Sequence, residues 1–262
     1  MKIGIIGLGF VGTAIRQAYE NLFANVIVVD VDPIKSTGTY ADLDKCDAVF
    51  VCVPSPQAED GSCDTKILNA VLYLLKDYKN VIISKTTAPP DFYEKLQEVY
   101  PNLVHVPEFL TAANANIDYA KEEHVIIGGN IAAYRNEAER IIRLAQPIKT
   151  TEHCTIGEAA FVKYTINSYL ATKVVFMNEM AELAVAHGYR WELIRIAISE
   201  DARIGLSHMQ VPGPDGYYGF GGMCFPKDTT AWVKYGEKLC VLLSVLKTAI
   251  KKNDLLRLQK PK

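Results

Sequence analysis

Four separated segments hold the residue types from which a covalent reaction with oxyanion intermediates could be built. They are Thr86-Thr87-Ala88-Pro89, Pro107-Glu108-Phe109-Leu110, the pair Lys163 and Asn167, and the run Gly219-Phe220-Gly221-Gly222-Met223-Cys224-Phe225-Pro226-Lys227-Asp228. Lys163 and Asn167 are four residues apart and share one helix face, so an ammonium and an amide can both donate to a developing oxyanion. Taken by itself, the pair reads as a solvated lysine beside a helix-surface asparagine. Cys224 follows a Gly-Phe-Gly-Gly turn and precedes Pro-Lys-Asp, which exposes backbone N–H groups and puts Lys227 nearby. Such surroundings favour a thiolate. The other five cysteines lie in apolar or ordinary contexts that suit small packing residues.

A second constellation points to a dinucleotide. Gly7-Leu8-Gly9-Phe10-Val11-Gly12 directly follows a strand-like run and opens a helix, the context that the Gly-x-Gly-x-x-Gly fingerprint requires. The first glycine allows the tight turn, the second lets backbone approach a pyrophosphate, and the third permits close packing of helix on strand. Asp30, at the end of the second run, has the spacing of the carboxylate that binds a ribose. Asp32 follows closely and no arginine is adjacent, so a 2′-phosphate would meet two carboxylates that Lys35 only partly offsets. NAD is therefore expected rather than NADP. Val53, Ser55 and Thr87, at or beyond the ends of later strand runs, join the cofactor-contact candidates. Thr87 and Glu108 sit at strand ends, the edge where open α/β sheets hold ligands.

These residues need elements to hold them. Apolar, β-branched runs recur at Lys2–Gly7, Asn25–Asp30, Ala48–Val53, Asn80–Ser84, Leu103–Val106 and His124–Gly128, with helix candidates Phe10–Asn21, Thr65–Lys76 and Asp91–Tyr100 between them. Runs that are apolar throughout suit parallel strands buried on both faces. The alternation reads as a Rossmann-type doubly wound α/β layer, closed by a helix over Ile131–Ala145. Thr155 and Glu158 form a capping box, after which helical periodicity runs unbroken to His187 and a stop at Gly188. About 33 residues at ~1.5 Å each give a helix near 50 Å, apolar on more than one face. Such a helix reads as a central spine whose burial calls for a second subunit. Trp191–Ser199 reads as a further helix, then a loop over Gly205–Gly222, a short helix after Asp228 and a longer one from about Lys238 to Leu256. The expected domains are a nucleotide-binding domain over 1–150 and an all-helical core and dimerisation domain over 151–262, with the cysteine loop in the second.

Composition bounds the remaining classes. The 262 residues are 49% hydrophobic and 22% charged, with net charge −2, which excludes the basic footprint of a dedicated nucleic-acid binder. No apolar run reaches the roughly 18–20 residues of a membrane span, and the N-terminus lacks a signal-peptide cleavage site. Six cysteines without paired spacing suit reduced thiols in a cytoplasmic protein. The five histidines form no metal-ligand pattern, so zinc is not expected.

Taken together and in order from Met1 to about Leu256, these segments resemble the UDP-glucose/GDP-mannose dehydrogenase family, most specifically in Gly-Phe-Gly-Gly-Met-Cys-Phe-Pro-Lys-Asp. The resemblance implies an NAD-dependent enzyme that oxidises the C6 primary alcohol of a nucleotide sugar twice, ending at the carboxylate. It implies that Cys224 attacks the intermediate aldehyde to give a thiohemiacetal and then a thioester. Lys163 and Asn167 would stabilise the oxyanions, Asp228 would activate water or relay protons, and Thr87 would hold an ordered water. Glu108, Phe109, Leu110, Phe220 and Gly221 match substrate-contact positions, and Arg203 matches an arginine that reaches a neighbouring subunit's sugar nucleotide, implying a homodimer. Two departures stand out. Ala112 occupies the place of a second family glutamate, and the chain stops about where a third, nucleotide-holding domain should begin. Three alternatives stay open: a dehydrogenase of a UDP- or GDP-sugar other than UDP-glucose, one of the β-hydroxyacid type acting on a small hydroxy acid, and a non-catalytic NAD-binding remnant that needs a partner chain.

Overall fold

The computed structural model describes residues 1–22, 25–111 and 113–259. The chain forms two compact units, one from Met1–Pro56 and Asp64–Lys163, the other from Gln57–Cys63 and Tyr164–Lys262.

The first unit is built on seven strands, β1 (Lys2–Ile6), β2 (Asn25–Val29), β3 (Ala48–Val51), β4 (Val81–Ser84), β5 (Leu103–His105), β6 (His124–Gly128) and β7 (Thr150–Cys154). Their order is β2-β1-β3-β4-β5-β6-β7. All neighbours run parallel except β5 and β6, which meet antiparallel at His105 and Gly128. Among the described residues six helices accompany the sheet: α1 (Phe10–Glu20), α2 (Tyr40–Leu43), α3 (Lys66–Leu74), α4 (Pro90–Val99), α5 (Ala115–Lys121) and α6 (Ala132–Ala145). The unbroken apolar runs have their explanation in two cores. Ile3, Ile5, Phe50 and Ile83 fill one, while Ile6, Val49, Val51 and Ile82 fill the other. Successive strand residues point to opposite faces, so both faces need apolar side chains.

The layer does not close at the helix over Ile131–Ala145. α6 does form there, but β7 follows and pairs with β6 along its length. The sequence of β7, Thr-Thr-Glu-His-Cys, lies at an edge with no residue fully buried, so it carries no hydrophobic strand signal.

The helical part opens on α7 (Ile156–Ala186), 31 residues and about 46 Å long. Its capping box is in place: Thr155 N donates to Glu158 Oε2 at 2.8 Å, and Glu158 N donates to Thr155 Oγ1 at 3.3 Å. Beyond its end, Gly188 adopts φ +81°, the left-handed stop that glycine accommodates. The second unit continues with α8 (Trp191–Ser199), α9 (Phe225–Lys238) and α10 (Ser244–Arg257). Here the expected boundaries need correction. α9 starts at Phe225, before Asp228, because Pro226 lies in its first turn, where a proline costs no hydrogen bond. α9 and α10 are both 14 residues long rather than short and long.

Tyr164, Ala231, Trp232, Val233 and Leu246 form one core of the second unit, against which Cys63 packs. Tyr164, Trp232 and Tyr235 stack in series, with ring centroids 4.9 and 5.1 Å apart. Further along α7, Ala171 and Val175 pack with Phe220, Ala249 and Leu256, while Tyr169, Phe176 and Leu183 point outward and stay exposed.

Candidate active site

The glycine turn lies between β1 and β3, where the chain's strand order switches direction, the place where doubly wound sheets take up nucleotides. Gly7 has φ +91°, and a Cβ there would come within 2.7 Å of the Cys52 carbonyl oxygen. A Cβ on Gly12 would collide with the Gly7 carbonyl. Around Gly9, by contrast, a Cβ would meet nothing within 4 Å, and α1 begins there without a side-chain cap. Backbone approach is thus open at the one glycine whose role requires it, beside the N–H groups of a helix N-terminus. Asp30 Oδ2 accepts from Leu8 N at 2.5 Å and its Oδ1 accepts from Asp32 N at 2.9 Å. Partial burial raises the Asp30 carboxyl pKa, but these two amides and the charge of Lys35 outweigh it and hold the group below its ordinary value. An ionised carboxylate beside an open glycine turn fits the ribose and pyrophosphate of a dinucleotide. A cleft of about 360 Å³, lined by Phe10, Thr13, Asn114 and Asn116 among others, adjoins the same helix start. Ser55 and Thr87 are buried, and the Val53 carbonyl accepts from Thr86 Oγ1 at 2.8 Å.

Within the same unit, the loop after β5 holds Lys163. Its Nζ donates to the Glu108 backbone carbonyl and lies 3.3 Å from Glu108 Oε1. Glu108 Oε2 accepts from Leu110 N at 2.8 Å, and the ammonium sits 5.0 Å from the centre of the Phe109 ring. Lys163 is only 4% exposed, so the reading of a solvated lysine does not describe it. Lys85, at the end of β4, is equally enclosed at 5%. Burial lowers its pKa despite the nearby charges of Glu122 and Glu108. Sequence reasoning missed Lys85, since a lysine just past a strand ordinarily reaches water. Its position just after the apolar run Val81-Ile82-Ile83 and before Thr86-Thr87 was the available signal.

In the second unit, Asn167 Nδ2 donates to Asp228 Oδ2 at 2.7 Å, and Lys227 Nζ donates to Asp228 Oδ1 at 2.6 Å. Asp228 is almost wholly buried. Burial alone would lower the Lys227 pKa, but the charge and hydrogen bond of Asp228 raise it, with further support from Cys63 and Cys224. Cys224 is half-buried and caps α9, its carbonyl accepting from Asp228 N at 2.9 Å. A helix N-terminus and a firmly protonated lysine both stabilise a thiolate. The group can therefore supply a nucleophile, a proton-accepting carboxylate and an amide donor.

Other expected residues are placed less tightly. Phe220 is buried and Gly221 lies against the Arg257 guanidinium. Arg203 is exposed and pairs with Asp201 at 2.6 Å. Ala112 lies outside the described residues. Among the described residues no cluster of three potential metal ligands occurs, and no helix is long and apolar enough to cross a membrane.

A mostly parallel sheet with a glycine turn and a carboxylate at its switch point is the arrangement of a dinucleotide-binding domain. Residues 34–146 match the NAD binding domain of the UDP-glucose/GDP-mannose dehydrogenase family, and residues 157–255 match its central domain. The chain belongs to that family. It is 31% identical over 240 residues to a UDP-glucose 6-dehydrogenase of Rickettsia felis, covering 86% of this chain and 52% of the relative. A UDP-glucose 6-dehydrogenase from Pseudomonas aeruginosa is 29% identical over 288 residues, with 91% and 62% covered. The chain thus spans about half to two thirds of the length of these relatives. The solved UDP-glucose dehydrogenase of Pyrobaculum islandicum shares the fold at TM-score 0.83 and 24% identity, covering 97% of this chain and 68% of that one. A 3-hydroxyisobutyrate dehydrogenase of Mycobacterium tuberculosis also shares the fold, at TM-score 0.74 and 14% identity, with 95% and 91% covered.

Proposed function

We propose that this chain carries the chemistry of an NAD-dependent nucleotide-sugar 6-dehydrogenase, converting a C6 primary alcohol to the carboxylate, with UDP-glucose as the first candidate substrate. The observation that carries the reading is the Asn167–Asp228–Lys227 array behind Cys224 at the start of α9. A thiol adduct is needed because an aldehyde must be retained and made a hydride donor before a second oxidation at one carbon. When bound, NAD accepts one hydride in each oxidation. Cys224 Sγ adds to the aldehyde carbon, and the new alkoxide takes hydrogen bonds from Lys163 and Asn167. Loss of hydride from this thiohemiacetal leaves a thioester. Water attacks its carbonyl, Asp228 accepts one proton, and the C–S bond breaks to give the sugar carboxylate and Cys224, whose sulfur takes the second proton. Thr87 and Glu108 position water and sugar, while Phe109, Leu110, Phe220 and Gly221 line the substrate's path. The exposed face of α7 receives a second copy of the chain, and Arg203 reaches that copy's substrate.

A panel of UDP- and GDP-sugars, read by NADH formation, tests this. The expected result is two NADH per sugar with the wild-type chain and no completed second oxidation with Cys224→Ser. Unchanged turnover in that variant would overturn the covalent step. The fold shared with 3-hydroxyisobutyrate dehydrogenase supplies the competing outcome, one NADH per turnover of a small hydroxy acid. NAD binding with no turnover of any sugar would point instead to a chain that works only with a partner.

A further inference from the structure

The loop that delivers Cys224 is held by two buried amides that play no part in the chemistry above. Asn253, on α10 and 5% exposed, makes a paired contact with one residue of that loop: its Oδ1 accepts from Phe220 N at 2.6 Å and its Nδ2 donates to the Phe220 carbonyl at 3.1 Å. Asn178, on α7, accepts from Gly219 N at 3.1 Å while its own Nδ2 donates to the Val174 carbonyl at 2.8 Å. Three of the four main-chain polar groups of Gly219 and Phe220 are thus bonded by asparagine side chains, and both side chains are buried. The Phe220 ring is sunk among Ala171, Val175, Ala249 and Leu256 and meets Phe225 edge to face.

The span from this anchor to Cys224 is Gly221, Gly222 and Met223. Gly221 lies against the Arg257 guanidinium, Gly222 takes φ +78° and Met223 is exposed. The far end is set by α9, which begins immediately after Cys224. The thiol therefore sits between a hydrogen-bonded anchor and a helix start.

We propose that Asn253, assisted by Asn178, is a positioning residue that fixes the Cys224 thiol at the N-terminus of α9 by pinning the Gly219–Phe220 main chain. The amide of Asn253 matches one backbone N–H and one backbone C=O at once, which neither an aliphatic side chain nor a carboxylate can do. Displacing a nucleophile by about 1 Å is enough to cost on the order of a hundredfold in rate. The catalytic consequence rests on the proposed function, but the placement of the thiol does not.

The test compares the full-length wild-type chain with Asn253→Leu and Asn253→Asp. Iodoacetamide labels the native protein at neutral pH, and peptide mapping gives the rate at Cys224 relative to the exposed Cys240, which serves as internal reference. Asn253→Leu is expected to lower that ratio about tenfold, as the thiol leaves the helix N-terminus and its thiolate fraction falls. Asn253→Asp keeps the acceptor for Phe220 N and is expected to lower it less. In the NADH assay, both variants should fall below two NADH per sugar while KM stays within about twofold. Melting temperature is recorded for each, and Asn253→Asp with Asn178→Leu carries the comparison if Asn253→Leu does not fold. An unchanged Cys224 to Cys240 ratio in a folded variant overturns the proposal. If the ratio falls while the wild type never reaches two NADH per sugar, the positioning stands and the proposed reaction fails.

Discussion

Asn167 and Asp228 are bound to each other through a 2.7 Å amide-to-carboxylate hydrogen bond, so a residue of α7 and one of α9 share a proton-accepting group. The other oxygen of that carboxylate is taken by Lys227. Each oxygen of the carboxylate therefore has a donor of its own. Asp228→Asn keeps the shape, removes the charge and sets an NH2 group against one of two donors. The expected outcome is a loss of about 3 kcal/mol of stability, since a mostly enclosed ammonium loses its counter-charge. Urea unfolding of the two proteins checks this. An unchanged midpoint would mean that Lys227 finds another partner.

Gly219 is the residue of the cysteine loop with least tolerance for a side chain. Its φ is +73°, and a Cβ there would run into Asn253 Oδ1. Gly219→Ala should cost about 2 kcal/mol by combining left-handed strain with a lost or bent hydrogen bond. Gly216, also at positive φ but with nothing near its missing Cβ, is the control. Gly216→Ala should show only the smaller backbone cost of about 1 kcal/mol. Equal melting temperatures for the two variants would count against the collision.

Asp30 holds the glycine turn and carries the charge expected to face a ribose. Asp30→Asn should weaken NAD about tenfold, as befits the loss of a charged acceptor. NADP should lose less or improve, because one of the two repelling carboxylates is gone. Titrating protein fluorescence with each dinucleotide measures both affinities, and parallel losses would remove Asp30 from cofactor choice.

His105 gives the pH dependence a definite sign. Its ring is buried, stacks on Tyr93 at 4.3 Å and shares Nδ1 with the Ser84 carbonyl. Burial lowers its pKa to about 3, with the nearby charges of Lys85 and Lys163 acting the same way against the Ser84 contact. The unfolded chain takes up this proton near pH 6.5 and the folded chain only near 3, so stability is full above the first value and falls toward the second. The slope from this one group is about 1.4 kcal/mol per pH unit. His105→Phe should be less stable at neutral pH yet lack this component of the slope. Denaturant titrations from pH 7 to pH 4 compare the two; identical slopes would exclude His105 as the source.

Much of this was legible in the sequence because the signals were local. The unbroken apolar runs mark the buried strands within a few residues, and the capping box marks the start of α7 to within one position. Residues that act across long separations left no such trace. Asn253 and Asn178 look like polar positions on amphipathic helices, and only packing against Gly219 and Phe220 reveals what their amides bind. β7 was invisible because an exposed edge strand needs no apolar residues. α9 starts at Phe225 rather than after Asp228, since a proline is a favoured residue in a first turn.

The passage of Gln57–Cys63 out of the first unit and into the second has a consequence for how the chain can be divided. No single cut yields two intact pieces. A break after Lys163 leaves Cys63 on the wrong fragment, away from the Trp232 cluster that it packs against. For the same reason a one-point recombination between relatives would join α7–α10 to a foreign version of this seven-residue strap. Transplanting the helical unit therefore takes three junctions rather than one, and a chimera that ignores the strap should fail first at the stacked tyrosine and tryptophan rings.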